Sequence, residues 1–193
     1  MKKDVTSFLI VIVLILLAVN PLSAAGSPPA EGGILADIKL SVPKGSAEKS
    51  YLGLGFFGFG SFKIPEIKAR LVIVEIFSMY CPYCQREASN VNQLYAKIEQ
   101  NPALKGRIKI IGIGAGNTSF EVETFKRKYN IPFPLFPDED YAIHKMVGEV
   151  RTPYFIGVKI NPDGSHQVIY SKLGGLERVD QFLEMIMKLS GLP

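Results

Sequence analysis

The sequence predicts an α/β fold in one domain, a sheet with helices packed against it. Three observations carry this. Short apolar runs rich in β-branched residues, at Leu71–Phe77, 107–114 and Tyr154–Ile160, read as buried strands. Longer segments with helical spacing and cap residues lie between and after them. The chain closes on a hairpin turn, a strand and an amphipathic helix, with no internal repeat and no sign of a second domain. A length of 193 residues suits one such core.

The first 25 residues stand outside that domain. Lys2 and Lys3 precede an uninterrupted apolar run over 8–19, Asn20-Pro21 breaks it, and Ser23-Ala24-Ala25 supplies small residues. This is the three-part layout of a secretory signal peptide, with cleavage expected near Ala25. Residues 1–25 are therefore read as the leader, 26–33 as a Gly/Pro/Ala/Ser linker and 34–193 as the folded domain. The alternative is an uncleaved N-terminal membrane anchor, for which the run is short, since a span needs about 20 apolar residues. Either way the folded part is expected outside the cytoplasm, periplasmic or secreted. Net charge is +4 for the whole chain, and cleavage removes Lys2, Lys3 and Asp4 to leave +3. The basic clusters Lys105/Arg107/Lys109 and Lys126-Arg127-Lys128 sit in no nucleic-acid-binding module and read as solvated faces, so no nucleic-acid partner is expected.

Within the domain, 34–42 reads as a first strand and 43–50 as a loop. The stretch YLGLGFFGFG over 51–60 contains a literal G-x-G-x-x-G at Gly53, Gly55 and Gly58. No helix follows it, so a dinucleotide site is rejected in favour of a loop whose phenylalanines cover an edge of the core. Strand Leu71–Phe77 comes next, then a helix over 85–100 ended by Asn101-Pro102, and a second buried strand over 107–114. Gly114-Ala115-Gly116-Asn117 reads as a turn, and Thr118 or Ser119 caps a helix to Tyr129 with Val122, Phe125 and Tyr129 on one face. Residues 131–136 are proline-rich and suit a short edge strand. A short helix over 138–147, strand Tyr154–Ile160, the turn Asn161-Pro162-Asp163-Gly164, a strand over 167–171 and a helix over 176–189 complete the order.

The chain's only two cysteines lie in Cys81-Pro82-Tyr83-Cys84, between the first buried strand and a helix. That placement puts the first thiol at a helix N-terminus, where unpaired backbone N–H groups and the dipole favour a thiolate. As a structural staple the pair would be weak, because closing so short a loop removes little unfolded-state entropy. As a redox couple the spacing keeps the second thiol always in reach. The chemistry expected is dithiol–disulfide exchange.

The order strand, C-x-x-C helix, strand, helix, Pro-preceded strand, hairpin strand, helix resembles the thioredoxin fold over 34–189. More narrowly, the chain is similar to the extracytoplasmic TlpA/ResA-type thioredoxins of the redoxin group. An N-terminal extension precedes the redox strand, a helix and strand (TSFEVETFKRKYNIPFPLF) are inserted after the central strand, and the chain starts like a signal peptide. Thr152-Pro153 opens a strand after the C-x-x-C helix. The resemblance implies a cis Pro153 beside the motif, with Thr152, Pro153, Pro82 and Tyr83 lining the groove for substrate peptide. It also implies that Glu75, in the middle of the apolar strand, is a buried acid that moves protons for the second cysteine. Alternation along the strand puts Glu75 on one face with Ile73 and Phe77. Cys81 would attack, Cys84 would resolve and Glu75 would take the proton of Cys84. No cofactor beyond the redox-active Cys81–Cys84 disulfide is implied. The partners implied are client proteins with disulfides or thiols and an upstream redox protein that supplies electrons. The resemblance points to a reductant.

The chain departs from the family pattern. It has no tryptophan, so Tyr80 stands where thioredoxins carry Trp, and Pro-Tyr replaces their Gly-Pro. Two other functions compete with this reading. A thiol peroxidase fits Ser78, three residues before Cys81, but Val74 and Pro153 stand where peroxidases carry a proline and an arginine. A metal-binding module of this fold would need ligands beyond the two thiols. His144 and His166 lie at no ligand spacing from the motif, and Met146, Met185 and Met187 read as core or helix-face residues. Asn117-Thr118-Ser119 matches a glycosylation acceptor, a pattern too short to use.

Overall fold

A computed structural model describes residues 27–55 and 60–192. The leader or anchor over 1–25, and the phenylalanines within 56–59 together with Gly58, lie outside the described residues. Among those described, no helix is long and apolar enough to cross a membrane.

The elements are β1 (Lys39–Ser41), α1 (Ser46–Leu52), β2 (Ser61–Lys63), a 3-10 turn (Ile64–Glu66), β3 (Leu71–Phe77), α2 (Pro82–Gln100), β4 (Ile108–Ala115), α3 (Ser119–Lys128), β5 (Leu135–Asp138), α4 (Ala142–Met146), β6 (Tyr154–Ile160), β7 (His166–Leu173) and α5 (Val179–Ser190). Five strands form one mixed sheet in the order β5-β4-β3-β6-β7. β3, β4 and β5 run parallel, while β6 is antiparallel to β3 and β7 to β6. β3 is the middle strand and all seven of its residues are buried, as its near-continuous apolar run requires. β5 lies at the sheet edge, where the prolines around it cost no ladder bond.

Each face of the sheet has its own core. Leu71, Ile73 and Phe77 pack with Val91, Leu94 and Ile98 of α2, Val122 and Phe125 of α3, and Phe182 and Ile186 of α5. Val72, Val74 and Ile76 pack on the other face with Leu35, Ile38, Leu40, Leu52, Phe62, Ile64 and Ile67. The N-terminal extension thus covers the second face of the sheet.

The extension is also where the structure corrects the sequence reading. The strand expected over 34–42 is only Lys39–Ser41, and it pairs antiparallel with β2 in a separate two-stranded ribbon. The loop expected over 43–50 contains helix α1. Gly45 gives α1 no side-chain cap, and the helix has only seven residues, too few to show periodicity. Its stop signal was visible, since Gly53 sits in the left-handed region (φ 69°) past the last turn. Elsewhere boundaries move by a few residues. α2 starts at Pro82 rather than 85, β4 runs on to Ala115, the strand expected over 131–136 is Leu135–Asp138, and α5 starts at Val179. Thr118 caps α3 in a full capping box with Glu121.

Candidate active site

β3 ends at Phe77, and the chain turns through Ser78, Met79 and Tyr80 into α2. Cys81 is the N-cap of α2 with an extended backbone (φ −79°, ψ 114°), and Pro82 opens the helix, where its missing N–H costs nothing. Cys84 follows within the first turn and is fully buried, while Cys81 keeps a partly exposed thiol. Both are free thiols, so this is the dithiol form.

Their acidities differ in direction. Partial burial pushes the Cys81 thiol up. Hydrogen bonds to its thiolate from Thr152, Cys84 and the Tyr83 backbone outweigh that, and the net shift is downward. Burial pushes the Cys84 thiol well above its ordinary value; a Ser78 backbone hydrogen bond opposes this, and the Glu75 charge and Cys81 add to it. The thiol that can be reached is the acidic one, and the thiol that cannot be reached holds its proton.

The Thr152–Pro153 peptide bond is cis. The Thr152 carbonyl accepts the Cys81 thiol at 3.3 Å, which sets the Pro153 loop directly against the nucleophile. Pro82 and Tyr83, which follow Cys81 directly, are exposed, and the Arg86 guanidinium lies 4.5 Å from the Tyr83 ring centroid. The four residues expected to frame substrate are therefore gathered around one thiol.

Glu75 lies in the middle of β3, opposite Gly112 of β4 and Phe155 of β6. It is 4 % exposed, on the sheet face shared by Ile73, Phe77 and Cys84. Burial raises its pKa from 4.5 to about 8, and the charges of Glu87 and Cys81 push the same way.

Two further residues join the site. Glu87, one turn past Cys84, is buried. Its Oε1 accepts the Leu176 N–H at 2.7 Å and its Oε2 accepts the Asn90 side chain at 3.2 Å. A Cβ at Gly175 would stand 2.3 Å from Glu87 Oε2, so that glycine lets the chain close over the carboxylate. The spacing Cys84, Glu87, Ala88, Val91 on the buried stripe of α2 could have revealed Glu87. Asn117 is fully buried, and its Oδ1 accepts the Met79 N–H at 2.8 Å. Gln85 donates to the Met79 carbonyl at 2.8 Å, and the Tyr80 hydroxyl donates to Glu121. The turn before Cys81 is thus held by side chains from α2 and from the start of α3. Burial also removes Asn117 as a glycosylation acceptor in the folded protein. Replacing Asn117 by alanine strands the Met79 N–H. The variant is expected to lose about 1–3 kcal/mol in urea denaturation. Its Cys81 alkylation profile should shift toward an ordinary thiol, and an unchanged midpoint and profile would show that the Asn117 bond does not hold the turn.

His144 is tied to the Val150 carbonyl, and His166 begins β7. Among the described residues no group of three His, Cys, Asp or Glu side chains is placed to hold a metal ion.

The arrangement can be compared with known proteins. The thiol-disulfide oxidoreductase ResA of Bacillus thuringiensis subsp. konkukian is 24% identical over 190 residues, which is 98% of this chain and 99% of that one. ResA of Halalkalibacterium halodurans is 25% identical over 128 residues, 65% of this chain and 68% of that one. Among solved structures, the thioredoxin domain of a thiol-disulfide oxidoreductase from Bacteroides vulgatus aligns with a TM-score of 0.58 at 16% identity, over 81% of this chain and 98% of that one. A secreted Mycobacterium tuberculosis disulfide oxidoreductase homologous to Escherichia coli DsbE aligns with a TM-score of 0.50 at 19% identity, over 69% and 90%. These likenesses establish a thioredoxin fold, and the likeness to the ResA proteins over nearly the whole chain makes it a thiol–disulfide oxidoreductase. Residues 54–169, more than half the chain and inclusive of both cysteines, the Glu75 strand and the cis proline, match the AhpC/TSA family, to which this protein belongs.

Proposed function

We propose that this thiol–disulfide oxidoreductase reduces disulfides of proteins outside the cytoplasm. The observation that carries the mechanism is the contrast between the two thiols: Cys81 partly exposed and acidified at a helix N-terminus, Cys84 buried and held protonated. The Cys81 thiolate attacks one sulfur of a client disulfide. The client S–S bond breaks, a Cys81–client mixed disulfide forms, and the second client sulfur leaves as a thiolate that takes a proton. Cys84 then gives its proton to the Glu75 carboxylate and attacks the Cys81 sulfur. The second client thiol is released and the Cys81–Cys84 disulfide remains. Two electrons have passed from protein to client. Another protein returns them by the same exchange in reverse, and no soluble cofactor takes part.

Thr152, Pro153, Pro82 and Tyr83 dock the client chain around Cys81. The leader-like residues 1–25 support a periplasmic or secreted location, with an uncleaved anchor as the alternative. The reducing direction is supported by the lack of a charged group between the cysteines. Strong oxidants of this chemistry stabilise their reduced form by a thiolate of pKa about 3.5 and reach about −120 mV. Tyr83 supplies no such charge. Titration against glutathione is expected to place the Cys81–Cys84 couple below roughly −200 mV. A value near that of the strong oxidants, with the dithiol form more stable to heat than the disulfide form, would reverse the direction of electron flow.

A further inference from the structure

We infer that the protein prefers clients carrying an acidic residue beside the reactive cystine, and that the carboxylate is received in a recess next to Cys81. The inference rests on the exchange reading above and names the client chemistry it would favour. The recess has a volume of about 360 Å³ and is lined chiefly by Ser78, Tyr141, His144, Val150, Arg151 and Thr152. Two of these hold the nucleophile. The Ser78 carbonyl accepts the Cys81 N–H at 3.0 Å, and the Thr152 carbonyl accepts the Cys81 thiol. A client cysteine that reaches Cys81 therefore brings its neighbouring side chain to the mouth of the recess.

The lining is one-sided in charge. It offers the hydroxyls of Ser78, Tyr141 and Thr152 and the Arg151 guanidinium, and no carboxylate, while the His144 ring is already committed to the Val150 carbonyl. Arg151 is exposed and makes no ion pair among the described residues. The acids nearby in sequence do not neutralise it. Asp138 is buried, and its carboxylate accepts the N–H groups of Ile143 at 2.9 Å and His144 at 2.8 Å. Asp140 accepts the Ala142 N–H at 3.1 Å, and neither Glu139 nor Glu149 lines the recess. Hydroxyl groups and a guanidinium without an ion-pair partner suit a carboxylate, and a guanidinium can take it in bidentate fashion.

The far wall is fixed in advance. Tyr141 holds a left-handed backbone (φ 59°), rare for an aromatic residue and often found where a site is pre-shaped. Its hydroxyl fits over Gly116, where a Cβ would stand 2.1 Å away. Its ring lies 5.6 Å from that of His144, which is itself fixed by its 2.8 Å hydrogen bond to the Val150 carbonyl.

The test uses three peptide cystines that differ only in the residue beside the cysteine, Asp, Asn or Lys. Each kcat/KM is divided by the rate of the same peptide with dithiothreitol, because charge alters a cystine's intrinsic reactivity. The wild-type protein is expected to favour Asp over Asn by about fivefold, the upper end for a solvent-accessible charge pair, and Lys is expected to be the poorest. Arg151→Gln should equalise Asp and Asn, and Arg151→Glu should make Lys the best. Added salt should shrink the wild-type preference. Equal normalised rates for the three peptides, or an order unchanged in Arg151→Glu, would overturn this inference and leave the oxidoreductase reading standing. Inertness toward all three would remove that reading and this inference with it.

Discussion

Cys81→Ser is expected to abolish disulfide exchange, on the order of 10³-fold or more in rate, while Cys84→Ser still attacks clients and stays joined to them. The asymmetry follows from burial. Only the Cys81 thiol is accessible, and only it is shifted toward the thiolate. A serine at position 81 leaves Cys84 as the sole thiol, fully buried and held protonated by its surroundings. A serine at position 84 leaves the first attack untouched and removes the second. Mixed disulfides should then accumulate, visible as slower bands on non-reducing gels that collapse with dithiothreitol. Both substitutions replace one small side chain by another, so the fold should survive. Preferential alkylation of Cys84 in the reduced wild-type protein would overturn the assigned order. So would a Cys81→Ser variant that still traps clients.

The parts of this site that were legible in the sequence are those carried by local pattern. β3 and β6 fall where their β-branched runs place them, because central strands buried on both faces leave an unbroken apolar signature. The C-x-x-C helix, Glu75 in its strand and the Thr-Pro pair could be read as motifs, and β3, α2 and the loop before β6 bring them together around Cys81. What could not be read depends on contacts between distant segments. The acceptor that holds the Met79 N–H lies 38 residues away, on Asn117. Glu121 receives the Tyr80 hydroxyl from across the turn, so the residue standing in place of tryptophan is anchored to α3 by its own polar tip. The N-terminal extension was misread for the same reason. β1 and β2 are three residues each, too short to alternate visibly, and they are ordered by packing Leu40 and Phe62 onto the sheet. Glu87 is different, because its place on the apolar stripe of α2 was available to a helical count and was missed.

Removing the carboxyl of Glu75 is expected to slow exchange and to stabilise the reduced protein. The stabilising effect follows from linkage. The folded-state pKa of Glu75, about 8, lies above its ordinary 4.5, chiefly because burial disfavours the charge and secondarily because Glu87 and Cys81 repel it. Between those values the folded chain holds a proton that the unfolded chain releases, so stability falls as pH rises through that window and levels off above it. The full effect is on the order of 5 kcal/mol as an upper limit. Urea denaturation of the reduced wild-type protein at pH 5 and at pH 8.5 should show this loss. Glu75→Leu should flatten it and raise stability most at the higher pH, since a packed apolar side chain carries no desolvation cost there. The kinetic effect has the opposite sign for function. When Cys81 enters the mixed disulfide its negative charge disappears, one source of repulsion on Glu75 goes with it, and the carboxylate forms more readily near neutral pH. It is then placed to accept the proton of Cys84, whose thiol is otherwise too weak an acid to resolve the intermediate. Glu75→Gln keeps the shape and the polarity but cannot take that proton, so resolution should slow by about 10²-fold near neutral pH. The deficit should narrow as rising pH ionises Cys84 without help. A Glu75→Gln protein that resolves mixed disulfides at the wild-type rate near pH 7 would end the proton-acceptor role, even if its stability changed as expected.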